Sequence, residues 1–164
     1  MVPLLPIYLR KNIVNTRQRL LDKLEKEWRE FRDSYGGLSD PELIRPGVVG
    51  QWSIKDIIGH VTTWEEETLK HLPHILGGGR PPRYSVLYGG IDAFNAKTTA
   101  GKRKLSLPET LRQQGEVHAR LLNLINKIPE EQLGGETRIR RRLRLDTYSH
   151  YRKHAAAIWK WRTK

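Results

Sequence analysis

Apolar residues recur at every third or fourth position in three long stretches, and this period constrains the fold more than any other sequence feature. Each stretch stops at residues that break helices: Gly36 and Gly37 after the first, Pro73 and Gly77 after the second, and Pro129 after the third. The first stripe is Val14, Arg17, Leu21, Leu24, Trp28 and Phe31, in which Arg17 is the polar exception. The second is Ile54, Ile57, Ile58, Val61, Trp64 and Leu72. The third is Leu111, Gly115, His118, Leu122 and Ile125. The pattern predicts long amphipathic helices and no strands.

Local signals place the boundaries of these helices. Ser53 and Asp56 have the spacing of a capping box, and Pro108 suits the first turn of a helix from about Leu107 to Ile128. Asp146 or Thr147 caps a last helix that reaches nearly to the carboxyl end. The intervening segments are a connector at 38–50, a long loop at 80–90, a short helix at 91–100 and an extended arm or surface loop at 137–145. We therefore predict one all-α domain over residues 1–164, an up-down bundle of four main helices with long connections.

The charge of the chain is concentrated in its second half. The 164 residues include 30 Lys+Arg and 18 Asp+Glu, a net charge of +12, of which residues 101–164 contribute +10. Five arginines between Thr137 and Arg144 form either an arm that contacts phosphates or a solvated loop. No DNA-binding motif accompanies the run, so we expect a loop and consider nucleic acid an unlikely partner.

The amino-terminal stretch Met1–Leu9 is apolar, but Pro3 and Pro6 interrupt it and its charges follow rather than precede it. This order is wrong for a secretory signal, and the stretch is too short to span a bilayer. We therefore expect a cytoplasmic protein with no membrane partner.

The chain has no cysteine. This excludes a disulfide framework, cysteine-type zinc fingers, iron–sulfur clusters and a thiol nucleophile from the chain itself. Any bound metal must therefore be held by histidine or carboxylate side chains.

His150 and His154 are four residues apart in the last predicted helix, so both imidazoles lie on one face and can share one metal ion. His60 and His118 both lie on apolar stripes, and spacing does not decide which of them is the third ligand. Three imidazoles would leave open positions for water or substrate, as in catalytic sites. The alternative is that these are core histidines, each hydrogen-bonded to protein groups.

Several neighbouring residues complete the predicted site. Asp146 and Glu67 are expected to orient the imidazoles, and Tyr151 is a candidate proton donor. The pocket is predicted to be lined by Ile57, Trp64 and Tyr148, of which Tyr148 is also a candidate catalytic residue. His71 and His74 flank Pro73 at a helix end and are expected on the surface.

Two motifs resemble those of the DinB-like superfamily, which includes YfiT-type proteins. They are QWSIKDIIGHVTTWEE, from Gln51 to Glu66, and YSHYRKHAAAIWKW, from Tyr148 to Trp161. The segment DTYSHYRKHAAAI is most similar to the ClbS/DfsB group of small bundles.

The resemblance implies a four-helix bundle in up-down-down-up order, often a homodimer, with a divalent metal, commonly nickel or zinc. One histidine of the second helix and the pair in the last helix hold that metal, which on this sequence selects His60, His150 and His154. It also implies a small-molecule substrate. Relatives include transferases or isomerases that use a low-molecular-weight thiol, metal-dependent hydrolases and self-resistance proteins. The expected function is thus a metal-dependent transferase or hydrolase of a detoxifying kind, with a metal-free binding or sequestering protein as the alternative.

Overall fold

The computed structural model describes the backbone of residues 7–164 and the side chains from residue 16 onward. Within that range the secondary structure is helical, apart from an isolated bridge between Val49 and Trp52. The predicted all-α class is therefore confirmed. Residues 1–6 of the amino-terminal stretch, and the side chain of Val14 in the first stripe, lie outside the described residues.

Four long helices form the bundle, and shorter helices occupy the connections between them. In chain order the helices are α1 (Ile7–Tyr35), α2 (Asp40–Ile44), α3 (Ile54–Leu76), α4 (Tyr84–Tyr88), α5 (Ile91–Lys102), α6 (Leu107–Lys127), α7 (Glu130–Leu133), α8 (Arg138–Asp146) and α9 (Tyr148–Arg162). The bundle proper consists of α1, α3, α6 and α9, and the apolar stripes of these helices meet in one core. Within residues 7–164 no helix is both long and apolar enough to cross a bilayer.

Contacts between the long helices give their relative directions. Lys23 and Ser34 of α1 contact Tyr148 and Arg162 of α9 in the same order along the chain, so these two helices are parallel. Helices α1 and α6 meet in reverse order, through the contacts Trp28–His118 and Tyr35–Gln114, and are antiparallel. The same holds for α3 and the α8–α9 segment, which meet through His60–His154 and Thr68–Asp146. The order is therefore up-down-down-up, as the resemblance implied.

The segment 137–145, predicted as an arm or loop, is instead helix α8. The hydroxyl oxygen of Thr137 accepts the backbone N–H of Arg140 at 3.1 Å and so caps the helix. Ile139 and Leu143, four residues apart, are both buried. The prediction was wrong because the alternation of arginines with apolar residues concealed this helical pair.

Among the other boundaries, the start of α3 follows the local signals, whereas two predicted interruptions differ from the structure. Ser53 and Asp56 form the predicted capping box, with hydrogen bonds of 3.0 and 3.1 Å between each side chain and the other residue's backbone N–H. Of the two predicted stops of the second helix, Gly77 is confirmed as its end, whereas Pro73 lies inside α3, which continues to Leu76. The predicted loop at 80–90 contains the short helix α4.

Candidate metal centre

Helices α3 and α9 bring three histidine side chains together near the middle of the bundle. The Nε2 atom of His150 lies 3.0 Å from Nε2 of His60 and 2.9 Å from Nε2 of His154. One nitrogen from each ring falls within 4.8 Å of the other two. The three residues selected by the resemblance are thus neighbours, and we call them the histidine triad.

Burial keeps these imidazoles in their neutral form. It lowers the pKa of His60 to about 4 and that of His154 to about 3, and the positive charge of Lys153 adds to both effects. Burial and the two adjacent imidazoles hold the pKa of His150 well below its usual range. Neutral rings offer the lone pairs that a cation requires.

The spacing of the triad fits a cation better than a set of hydrogen bonds. A neutral imidazole nitrogen carries either one hydrogen or one lone pair. Nε2 of His150 therefore cannot make good hydrogen bonds to both of its neighbours at once, although both lie at hydrogen-bond distance. Ligand nitrogens about 2.0–2.1 Å from a tetrahedral zinc ion lie roughly 3.3 Å apart, so a small separation of the rings would bring them to this geometry. The Nδ1 atoms of His60 and His150 have no hydrogen-bond partner among the described residues.

His118, which spacing left as an equal candidate, lies elsewhere in the core. Its Nδ1 is 2.9 Å from Oε1 of Glu65, and its ring stacks on Trp28 with the centroids 3.8 Å apart. The alternative of a core histidine hydrogen-bonded to protein groups therefore applies to His118.

Aromatic side chains surround one side of the triad. The ring of Trp52 lies 4.8 Å from that of His60, and the ring of Trp64 lies 6.3 Å from that of His150. Tyr84 and Phe94, from the α4–α5 segment, each pack 5.4 Å from Trp64. Trp64 was predicted to line the pocket. Tyr84 and Phe94 were not, and the only sequence signal was the long loop in which Tyr84 lies.

The remaining pocket and catalytic candidates have other surroundings. Ile57 is fully buried in the apolar core, and the ring of Tyr148 lies beneath Lys23 of α1. The hydroxyl of Tyr151 donates to Oε1 of Glu65 rather than reaching the triad. Of the predicted pocket residues, Trp64 is the one with a ring contact to the triad.

The side-chain carboxylate of Asp146, which was expected to orient the imidazoles, binds other groups. Its Oδ2 accepts the Thr68 hydroxyl at 2.9 Å and lies 2.5 Å from Nε of Arg142. Burial raises the pKa of Asp146 to about 6, against the opposing effect of Arg142. This carboxylate joins α3 to α8.

Glu67 is also engaged away from the triad. Its Oε2 lies 3.0 Å from Nε2 of His71 and accepts the Tyr84 hydroxyl at 2.6 Å. His71 is buried as a result, which corrects its expected place on the surface, whereas His74 is exposed as expected. Glu67 therefore fixes Tyr84, and with it the aromatic side of the site.

Three solved structures share this fold. The self-resistance protein ClbS, solved in complex with a double-stranded DNA, has a TM-score of 0.75 at 14% identity, over 89% of this chain and 94% of that one. The sibling lethal factor precursor DfsB has a TM-score of 0.72 at 16% identity, over 90% and 95%. An uncharacterised protein from Escherichia coli UTI89 has a TM-score of 0.69 at 16% identity, over 90% and 92%.

A comparison with curated proteins finds no match. The family model of the DinB superfamily, in contrast, matches residues 23–157, a range that includes the whole histidine triad. That range is well over half of the sequence, so this chain belongs to the DinB superfamily.

Proposed function

We propose that this protein is a divalent-metal-dependent enzyme that transfers a group to or from a low-molecular-weight thiol, or hydrolyses its substrate, in a detoxifying role. The observation that carries the proposal is the contact of three neutral imidazoles in the triad, of which His60 and His154 are buried and His150 is half-buried. Nickel or zinc is the metal that we expect, since both accept imidazole ligands. The self-resistance role named for the neighbour ClbS supports a detoxifying function.

The chain's own residues would hold and shield the reacting groups. His60, His150 and His154 come from two packed helices, so their positions are fixed before a ligand arrives. Trp52 and Trp64 supply apolar surface that excludes water and packs against a substrate. When bound, a divalent cation lowers the pKa of a water or thiol ligand and polarises a carbonyl group.

Metal content tests the first part of the proposal. The protein is purified without a His tag, equilibrated with zinc or nickel and desalted, and its metal is counted by mass spectrometry. We expect about one ion per chain in the wild type and almost none in His150→Ala/His154→Ala. His74→Ala is the matched control, because this histidine is exposed and outside the triad. Equal metal in all three proteins would remove the catalytic-metal proposal.

Cobalt substitution tests whether a low-molecular-weight thiol binds to the metal. A low-molecular-weight thiol is added to the cobalt(II)-loaded protein and the visible spectrum is recorded. We expect a new sulfur-to-cobalt absorption band that saturates with thiol concentration and is absent from the double variant. If the metal is bound but thiol leaves the spectrum unchanged, hydrolysis remains and thiol transfer is excluded.

A metal-free binding or sequestering protein is the alternative from another class. It requires histidines that are hydrogen-bonded to protein groups and too far apart to share an ion. The 2.9 and 3.0 Å separations within the triad favour the metal proposal over this one.

Nucleic acid is a second candidate partner, because ClbS was solved with double-stranded DNA and α8 carries exposed arginines. Arg141 and Arg144 are exposed, whereas Arg138 donates to the carbonyl of Gly79 and Arg142 pairs with Asp146. A mobility-shift titration with a DNA duplex at low and moderate salt tests this candidate. Binding that weakens with salt, and weakens further in Arg141→Gln/Arg144→Gln, would support it. No shift at low salt would remove it.

The assembly and the extent of the domain also remain proposals. We propose a homodimer that consists of two copies of a single domain over residues 1–164. Light scattering coupled to size-exclusion chromatography distinguishes the dimer from the 19.1 kDa monomer. A single mass of 19.1 kDa at all concentrations would exclude the dimer.

A further inference from the structure

A groove of about 500 Å³ runs between α1 and α6, and none of its lining residues belongs to the triad. Helix α1 packs mainly on α9 and α6 packs mainly on α3, so α1 and α6 touch each other little and leave a gap. Its walls include Trp28, Arg32 and Tyr35 of α1 and Gln114, His118 and Leu122 of α6. This volume is within the range of small-molecule sites.

One end of the groove holds hydrogen-bond donors. The Tyr35 hydroxyl donates to Oε1 of Gln114 at 2.9 Å, which leaves the amide Nε2 of Gln114 buried with no partner among the described residues. Burial raises the pKa of Tyr35 to about 12, and Gln114 and the nearby Arg32 guanidinium oppose that rise. Arg32 and Gln114 therefore both act on Tyr35, so a guanidinium and an amide N–H without a partner lie at the same end of the groove.

The middle of the groove is a rigid aromatic floor. His118 stacks on Trp28 with only 4° between the ring planes. Its Nδ1 is held by Glu65, whose Oε1 also accepts the Tyr151 hydroxyl. Burial raises the pKa of Glu65, and its contacts with His118 and Tyr151 oppose that rise. The other ring nitrogen of His118, Nε2, has no hydrogen-bond partner in the described part of the chain.

We propose that this groove is a second ligand site, independent of the metal, that binds a small amphiphilic carboxylate with its head at Arg32 and Gln114. The guanidinium and the free amide N–H are both donors, and a carboxylate is the simplest group that can accept from both. The apolar tail lies over the ring of Trp28 and the side chain of Leu122. From Gln114 to Leu122 the helix rises roughly 12 Å, which suits a chain of about eight carbons.

Binding of octanoate to the full-length protein tests the site. Octanoate and its uncharged analogue 1-octanol are titrated by calorimetry into the wild type and into Arg32→Met. Arg29→Met is the matched control, because Arg29 is also exposed on α1, one turn away and outside this groove. We expect saturable binding of octanoate that weakens about tenfold in Arg32→Met and is unchanged in Arg29→Met. Octanol should bind the wild type about tenfold more weakly than octanoate, and both variants should bind it as the wild type does.

The side-chain amide of Gln114 locates the ligand. Its nuclear magnetic resonance signal, assigned with Gln114→Met, should shift as octanoate saturates the site. The same shift in His154→Ala separates this site from the triad, so the metal proposal and this one fail independently. Equal octanoate binding by Arg32→Met and Arg29→Met, or a Gln114 signal that does not move, would overturn the proposal.

Discussion

Acid should destabilise the metal-free protein through the histidine triad, by an amount that follows from burial. The folded pKa values of about 4 for His60 and about 3 for His154 lie below the ordinary value of 6.5 that the unfolded chain restores. The unfolded chain therefore binds more protons than the folded protein once the pH falls below 6.5. The stability that comes from keeping these residues neutral is lost as the pH falls from 6.5 towards 4 for His60 and towards 3 for His154.

The loss of free energy of unfolding depends mainly on how strongly the unfolded chain binds protons. At pH 5 an ordinary histidine lies 1.5 pH units below its pKa, and each unit is worth about 1.36 kcal/mol. His60 and His154 each remain mostly neutral in the folded protein at that pH, so each costs about 2 kcal/mol. Together they remove about 4 kcal/mol, a large part of the roughly 5–15 kcal/mol that stabilises a typical domain.

Urea denaturation in the presence of a chelator, at pH 7.5 and at pH 5, measures this loss. The control is His60→Gln/His154→Gln, which keeps buried polar side chains but removes their titration. We expect the wild type to lose about 4 kcal/mol more than this variant between the two pH values. Saturation with zinc should stabilise the wild type at pH 7.5 by about 2.7 kcal/mol at one hundred times its dissociation constant. If the wild type and the variant lose the same free energy of unfolding, the triad is not neutral and buried as described.

Three further predictions concern the positive charge beside the triad and the stability of helix α8. Lys153→Glu, an exposed charge reversal beside the imidazoles, should tighten zinc binding several-fold at low salt and little at high salt, as measured by competition with a chromophoric chelator. Arg142→Gln leaves the Asp146 carboxylate buried without its partner and should lower the free energy of unfolding by about 3 kcal/mol, whereas exposed Arg141→Gln should change it by less than about 0.5 kcal/mol. Thr137→Ala should cost about 1 kcal/mol through the lost cap of α8, and Thr137→Ser should restore most of it. An Arg142→Gln protein as stable as the wild type would contradict the role assigned to the buried pair.

Local spacing predicted most of the fold and two of the three members of the triad. The capping box at Ser53 and the four-residue interval between His150 and His154 are properties of single helices, so the sequence alone determines them. His60 and His118 both face inward, and they differ only in which neighbouring helix they meet. That difference is set by tertiary contacts, which no local period encodes: His60 meets His154 of α9, whereas His118 meets Glu65 of α3 and Trp28 of α1. The family resemblance supplied the choice.

Local spacing also could not predict the aromatic side chains beside the triad, because they too arrive through tertiary contacts. Tyr84 and Phe94 approach Trp64 because the α4–α5 segment folds back over α3, and Tyr84 is held there by Glu67. Arg142 also donates to the Tyr84 hydroxyl, at 3.0 Å. These contacts join residues far apart in sequence, so a loop rich in proline and glycine gave no indication of them. Helix α8, in contrast, was predictable from the sequence, since its cap at Thr137 and its pair Arg142–Asp146 are local signals.

The composition of the triad has a consequence for the ligand that it would take. Its three members are neutral, and among the described residues no carboxylate contacts them. The two carboxylates predicted to do so, Asp146 and Glu67, are engaged with Arg142, Tyr84 and other partners instead. A divalent cation held by imidazoles alone keeps its full charge, and the adjacent Lys153 adds to it. An anionic ligand such as a thiolate therefore gains more at this site than a neutral one, because the low dielectric of a buried position strengthens the attraction.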